Sequence, residues 1–297
     1  MKAAPFEHHE PTTVDEAVSL LASVDEATVL AGGQSQVPLM RFRLSTPETV
    51  VDINGIEELN YVREADGHLR IGALTRHADV EESDLVADRY GSFADAAPEI
   101  GDPQIRNRGT VAGSIAQADP KGDWGSVVLA HDGELVARGP DGRRTIPADE
   151  FFLFPYETDL AGDELLTEVR VPAAREREGS AYRKLKRKVG DYAMAGVATR
   201  VILDGDGTIE TAGIGLTSVD LTNSRAAEAE AVLEGEAPSA DVFREAAEAA
   251  REECNPETDE HGDAEYKRRM VGVLTQRALA DAVERAGIPV ERGRAAQ

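Results

Sequence analysis

Thr28-Val29-Leu30-Ala31-Gly32-Gly33-Gln34-Ser35, a short β-branched run emptying into paired glycines, is the stretch on which the fold turns. Thr28 to Leu30 predict a strand, and the loop Ala31 to Ser35 follows it directly. Paired glycines after a strand let the backbone turn sharply and bring bare N–H groups toward a ligand. Such a nest suits a pyrophosphate, and Ser35 can add a hydroxyl donor. On the pentapeptide alone an ordinary βα turn is the simpler reading. The loop matches neither Gly-x-Gly-x-x-Gly nor a phosphate loop ending in Gly-Lys-Ser/Thr, so neither a Rossmann domain nor an ATPase is indicated.

Outward from this loop, helix and strand signals alternate. Thr13-Val14-Asp15-Glu16 reads as a capping box, with Val14, Ala17, Val18 and Leu21 on one apolar helical face. Thr49 to Ile53 predict a buried strand closed by Asn54-Gly55, and a subdomain boundary is placed near Glu57, giving residues 1–57 and 58–172. Leu69 to Ala73 predict another strand, and Thr75 a cap for a helix through Val80. A hairpin is expected around Gly139 to Gly142, and a strand from Leu165 to Val171 ending at Pro172. The polar run Ala173 to Ser180 reads as a linker to a third unit over 181–290. There Tyr182–Lys188, Ala195–Leu203 and Ile209–Thr217 predict three strands, and the chain from Ser224 onward is expected to be helical, with breaks near Gly235 and Asn255-Pro256. The expected fold class is α+β.

A second loop has the character of the first. Pro98 to Asp123 is dense in Gly, Pro, Asn and Asp, and loop-like segments of that length tend to be functional. Within it, Gly109-Thr110-Val111-Ala112-Gly113-Ser114 again joins small residues to a hydroxyl. Two such loops can clamp a dinucleotide from both sides. Asp123 reads equally as an acceptor for a ribose hydroxyl and as a cap for a helix from Trp124 to Ala130.

Composition narrows the partners. The net charge of -24, from 56 acidic against 32 basic residues, leaves no basic footprint for nucleic acid. An acidic excess of this size also fits a protein of a salt-rich cytosol. Between Arg225 and Glu265 fourteen acidic residues meet three basic ones, which reads as a solvated helix face. Cys254 is the single cysteine, expected to be an ordinary free thiol, so the chain cannot itself supply a four-cysteine iron–sulfur site. No stretch approaches the roughly 18 apolar residues of a membrane span, and Met1 to Pro11 holds no apolar leader, so the expected compartment is the cytoplasm.

Four motifs in register carry a resemblance: Ala31 to Ser35, Asp102-Pro103-Gln104-Ile105-Arg106, Gly109 to Ser114, and Tyr182 to Tyr192. In order and spacing they resemble the FAD-binding medium subunits of molybdenum hydroxylases, nearest to those of the carbon monoxide dehydrogenase type. The likeness runs essentially end to end, including Ala264-Glu265-Tyr266-Lys267. It implies a two-subdomain FAD-binding fold of the vanillyl-alcohol-oxidase (PCMH) type, followed by a C-terminal domain with a three-stranded antiparallel sheet and helices. Ala31, Gly32, Gly33, Gln34 and Ser35, with Thr110, Val111, Ala112, Gly113 and Ser114, then resemble the two segments that cradle the diphosphate of FAD. Asp123 resembles a ribose or adenosine contact, and Lys184 and Tyr192 residues beside the flavin. A tyrosine face can stack on the flavin ring, and a nearby cation favours its anionic reduced form. Where the family usually reads Ala-Gly-Gly-His-Ser this chain has Gln34, and where it has Gly-Gly after Thr-Ile this chain has Ala112-Gly113; a methyl at Ala112 is tolerable at negative φ.

The implied role is an electron-transfer subunit with FAD as cofactor. Its implied partners are an iron–sulfur small subunit, a molybdenum-cofactor large subunit and an external electron acceptor. No catalytic acid or base and no metal site is expected on this chain. Two other readings stay open: a free-standing flavin oxidoreductase, for which His77 and His131 are the nearest acid–base candidates though both read as surface residues, and a flavin-free interaction subunit.

Overall fold

The computed structural model describes residues 2–24 and 26–289; the part of the expected helical tail from Val290 onward lies outside the described residues. The chain opens with a three-stranded parallel sheet in the order Glu7–His9, Thr49–Asp52, Thr28–Leu30. The helix Val14–Ser23 covers it with Ala17, Val18 and Leu21 buried. Thr13 caps that helix through Glu16 N, but the Glu16 carboxylate reaches back to Thr12 rather than to Thr13, so the expected box is shifted by one residue.

A five-stranded antiparallel sheet follows, ordered Val62–Ala65, His68–Gly72, Leu165–Pro172, Glu134–Gly139, Gly142–Pro147. The hairpin at Gly139 to Gly142 and the strand ending at Pro172 are therefore as read. Thr75 caps nothing: its hydroxyl donates to Tyr61 O at 2.8 Å, and the helix His77–Glu81 begins two residues later, with Asp79 accepting from Arg76 N. Nor is Pro98 to Asp123 structureless, because it contains the short helices Pro103–Arg106 and Val111–Gln117. Their caps, Asp102 and Thr110, sit inside the two motifs that looked like loop sequence. One apolar core runs from Ala17 through Val171 and takes in Tyr182 and Ala198.

The last third holds the three expected strands as Glu178–Leu185, Ala195–Leu203 and Ile209–Thr217, with a two-residue edge strand Ser224–Arg225 where a helix had been expected to start. The first of them begins at Glu178, four residues before the expected Tyr182, and ends at Leu185. Helices Ala227–Leu233, Ala240–Glu253 and Ala264–Arg285 follow. Alternation along the first strand decides what each side meets. Gly179, Ala181 and Arg183 face the long helix, with Arg183 paired to Asp281. Ser180, Tyr182 and Lys184 face the preceding part of the chain.

The other face of this sheet is covered by the wholly buried helix Asp123–Ala130. Gly213 and Gly215 allow the approach, since a Cβ there would lie 2.0 Å from Ala130 O and Ser126 O. Covered on both faces, Ala195–Leu203 is buried along its whole length, which is why it reads as a nearly continuous apolar run.

Candidate functional site

The two glycine loops lie backbone to backbone. A Cβ on Gly32 would fall 2.4 Å from Arg108 O and 2.6 Å from Gly109 Cα, so no side chain fits between them. Two residues that the sequence reading did not single out fasten them. Asn54 Nδ2 donates to Ala31 O at 2.7 Å, and Arg76 donates to both Asn54 Oδ1 (2.7 Å) and Arg108 O (2.9 Å). Asn54 is held in turn by Asp52 Oδ1 at 2.7 Å. Main-chain bonds from Val111 N to Thr75 O and from His77 N to Gly109 O complete the join.

Along the seam runs a cleft of about 360 Å³, lined by Ala31 to Gln36, Thr110, Gly113, Ser114, Asp123, Lys184 and Tyr192, among others. Of the expected site residues, only Val111 and Ala112 stay outside its wall; both are buried in the core. Ala112 sits in the helix Val111–Gln117 with negative φ, so its methyl is accommodated. Gln34 folds its amide back on its own loop, Nε2 donating to Gly32 O at 3.1 Å. Thr110 caps its helix by accepting from Gly113 N at 3.1 Å, and a Cβ on Gly113 would strike that hydroxyl at 2.5 Å. Gly33 has φ +71°, a conformation that disfavours any side chain. Among the described residues, no hydrogen bond uses the N–H of Gln34, Ser35 or Gln36, and Ser35 gives the helix Gln36–Phe42 no side-chain cap. These unpaired donors border the cleft.

At the other end stands a buried ion pair. Lys184 Nζ donates to Asp123 Oδ2 at 2.9 Å and to Glu99 O at 3.1 Å; the two charged side chains are 2% and 6% exposed. Tyr182 OH donates to Asp123 Oδ1 at 2.5 Å. Burial pushes the Asp123 carboxyl up and Lys184 counters it, while burial, with Asp123 adding to it, pushes the Tyr182 phenol well above its usual range. Asp123 is thus the first residue of its helix, after the cap Gly122, and its carboxylate is turned inward to two donors. Tyr192 is half exposed at the cleft, its hydroxyl raised to about 12 by desolvation and by Asp119, and so protonated at neutral pH.

The histidines depart from expectation: His77 and His131 are both buried, at 4% and 0% exposure. His77 borders the cleft and accepts at Nδ1 from Trp124 Nε1 (3.0 Å); burial, with Arg106 and Arg76 nearby, lowers it to about 4. His131 lies away from the cleft with Nε2 2.8 Å from Ser92 Oγ. Asp102 to Arg106 is a clasp, in which Asp102 accepts from Ile105 N and Arg106 joins Glu81 to the carbonyls of Pro98 and Ile100. Gly190, at φ +78°, passes close over Gly101 O and closes the cleft from the side of Asp191 and Tyr192. A lone histidine in a polar segment carries no signal of its burial; Gly190 did lie within a quoted motif, and Gly101 directly precedes another.

A cleft walled by glycine loops, open donors and a strand from the C-terminal sheet defines a dinucleotide-binding flavoprotein fold. Residues 4–174 match the family model described as the FAD binding domain in molybdopterin dehydrogenase, and residues 180–282 match the CO dehydrogenase flavoprotein C-terminal domain. The chain belongs to this family of FAD-binding medium subunits of molybdenum hydroxylases, and is an oxidoreductase subunit. It is 43% identical over 275 residues to the carbon monoxide dehydrogenase medium chain of Hydrogenophaga pseudoflava, covering 92% of this chain and 96% of that one. It is 37% identical to the 6-hydroxypseudooxynicotine dehydrogenase complex subunit alpha of Paenarthrobacter nicotinovorans, over 96% and 97% of the two chains. Among solved structures, a chain of carbon monoxide dehydrogenase from Hydrogenophaga pseudoflava superposes with a TM-score of 0.92 at 44% identity, covering 96% of this chain and 99% of that one. A chain of quinoline 2-oxidoreductase from Pseudomonas putida 86 gives 0.89 at 29% identity, over 96% and 99%.

Proposed function

We propose that this chain is the flavin-bearing electron-transfer subunit of a molybdenum hydroxylase complex. In this reading, iron–sulfur clusters on a small subunit, fed by a molybdenum-cofactor large subunit, deliver electrons here for an external acceptor. The observation that carries it is the cleft itself, in a chain matched over nearly its full length by medium subunits of this kind. The single cysteine is buried with its thiol pushed up by desolvation, which agrees with the clusters residing on a partner.

The residues present fit an FAD. Glycines 32 and 113 stand where a Cβ would strike Arg108 O and the Thr110 hydroxyl, Gly33 holds a positive φ, and the unpaired N–H groups of Gln34, Ser35 and Gln36 suit a diphosphate. Ser114 adds a hydroxyl at the same wall. Lys184 supplies a cation shielded from water, and Tyr192 an aromatic face with a protonated hydroxyl. FAD, when bound, supplies the redox chemistry, and the protein's part is to hold it, exclude water and set the field around it. His77 is neutral at pH 7, with Nδ1 already engaged by the Trp124 indole. Relatives bear names as different as carbon monoxide, nicotine and caffeine enzymes, consistent with substrate choice on another subunit.

The purified chain is expected to show a flavin spectrum and to release close to one FAD per chain. Gly33→Val, which forces a β-branched side chain into positive φ against Val37, is expected to lower that occupancy at least tenfold while the far-UV circular dichroism stays unchanged. A folded parent chain that neither carries nor takes up FAD would overturn the proposal.

A further inference from the structure

We propose that Tyr182 is a positioning residue for the cofactor cleft, acting through the Asp123 carboxylate to fix the Lys184 ammonium at the cleft wall. The inference rests on the flavoprotein reading above and deepens it.

The geometry is specific. Tyr182 and Lys184 stand two apart on one strand, so both side chains leave the same face and reach the same carboxylate across the interface. Each oxygen of Asp123 takes one of them, the phenol at 2.5 Å and the ammonium at 2.9 Å. Asp123 and Lys184 line the cleft and Tyr182 does not, so the phenol acts only through its neighbours. An ammonium has three hydrogens. The protein accepts two from Lys184, at Asp123 and at Glu99 O, which leaves one for a ligand.

Room for the hydroxyl is built into the next strand. Gly196 stands opposite Lys184 in the register, and a Cβ there would lie 2.5 Å from Tyr182 OH. A buried carboxylate with a single donor holds its partner in a less defined geometry than one with two, since each bond fixes one oxygen. Asp123, read from sequence as a ribose contact or a helix cap, becomes the link between a phenol and a cation. The residues that orient the cation come from both halves of the chain.

The test uses the full-length chain and two readouts, the FAD dissociation constant from flavin fluorescence and the midpoint potential of the bound flavin. Tyr182→Phe keeps the buried ring and removes only the donor. It is expected to weaken FAD binding by about tenfold and to shift the potential in the same direction as Lys184→Met. In the Lys184→Met background, Tyr182→Phe is expected to shift the potential no further, because the phenol acts through that lysine. Gly196→Ala, which crowds the hydroxyl from the neighbouring strand, should reproduce the Tyr182→Phe shift. An unchanged potential in Tyr182→Phe, or additive shifts in the double variant, would overturn the positioning role even where the melting temperature falls. A parent chain that binds no FAD would instead overturn the underlying flavoprotein reading.

Discussion

His77 shows how a single buried residue ties stability to pH. Its Nδ1 accepts from the Trp124 indole, and burial, with Arg106 and Arg76 nearby, holds its folded pKa near 4 against the usual 6.5. The unfolded chain binds a proton there at a higher pH than the folded one. Stability from this group is therefore intact above about pH 6.5 and is lost as pH falls toward 4, by roughly 3 kcal/mol in all. His131, lowered by burial, acts in the same sense. His77→Asn keeps an acceptor for Trp124 without a titrating ring. Urea melts between pH 7 and pH 4 should show the variant losing less stability than the parent; equal losses would place the sensitivity elsewhere.

At the scale of elements, the strand Leu165–Pro172 holds the five-stranded sheet together from its middle. Its register slips between Leu166 and Glu168 against Glu134–Gly139, and Glu168 sits among arginines of its own and two other strands of the sheet. Glu168 is 2% exposed, yet it accepts from Arg70 Nε at 2.7 Å, Arg143 at 3.3 Å, Tyr61 OH at 2.5 Å and also Arg170. Removing a buried partner strands the charges left behind. Glu168→Ala should therefore cost about 3–5 kcal/mol, read as a lower denaturant midpoint. A loss under about 1 kcal/mol would show that water reaches and satisfies the arginines.

On the scale of the whole molecule, the helix Asp123–Ala130 is the joint. It belongs by sequence to the first half, but Gly213 and Gly215 of the second half bring it against the C-terminal sheet, and Trp124 is completely buried. Ion pairs reinforce the seam: Lys121 with Asp259 at 2.8 Å, Arg200 with Asp132 at 3.2 Å, and Arg285 with Asp95 at 2.7 Å. A fragment ending at residue 174 would expose this helix and lose Lys184 from the cleft. It should bind FAD at least a hundredfold more weakly than the full chain and bind a hydrophobic dye, whereas near-native FAD affinity in the fragment would show that the first half is self-sufficient.

Local sequence by itself determined most of the secondary elements, but not the short helices within Pro98 to Asp123 or the edge strand Ser224–Arg225. Period-two strands, paired glycines and a Thr cap are decided by neighbours within a few residues, and Ala195–Leu203 and Ile209–Thr217 stand where their patterns put them. Charge and cysteine count likewise follow from composition alone. Only the tertiary structure decided which groups face each other. Asn54 read only as the close of a strand and Arg76 drew no reading at all, until the two loops closed on them. His77 and His131 gave no local sign of burial, because burial depends on what packs over a residue. The trio Tyr182, Asp123 and Lys184 spans about sixty residues of chain, and chain sixty residues away leaves no periodic trace in local sequence. Their meeting follows from the alternation of one strand and the docking of one helix, fixed only when both cores form.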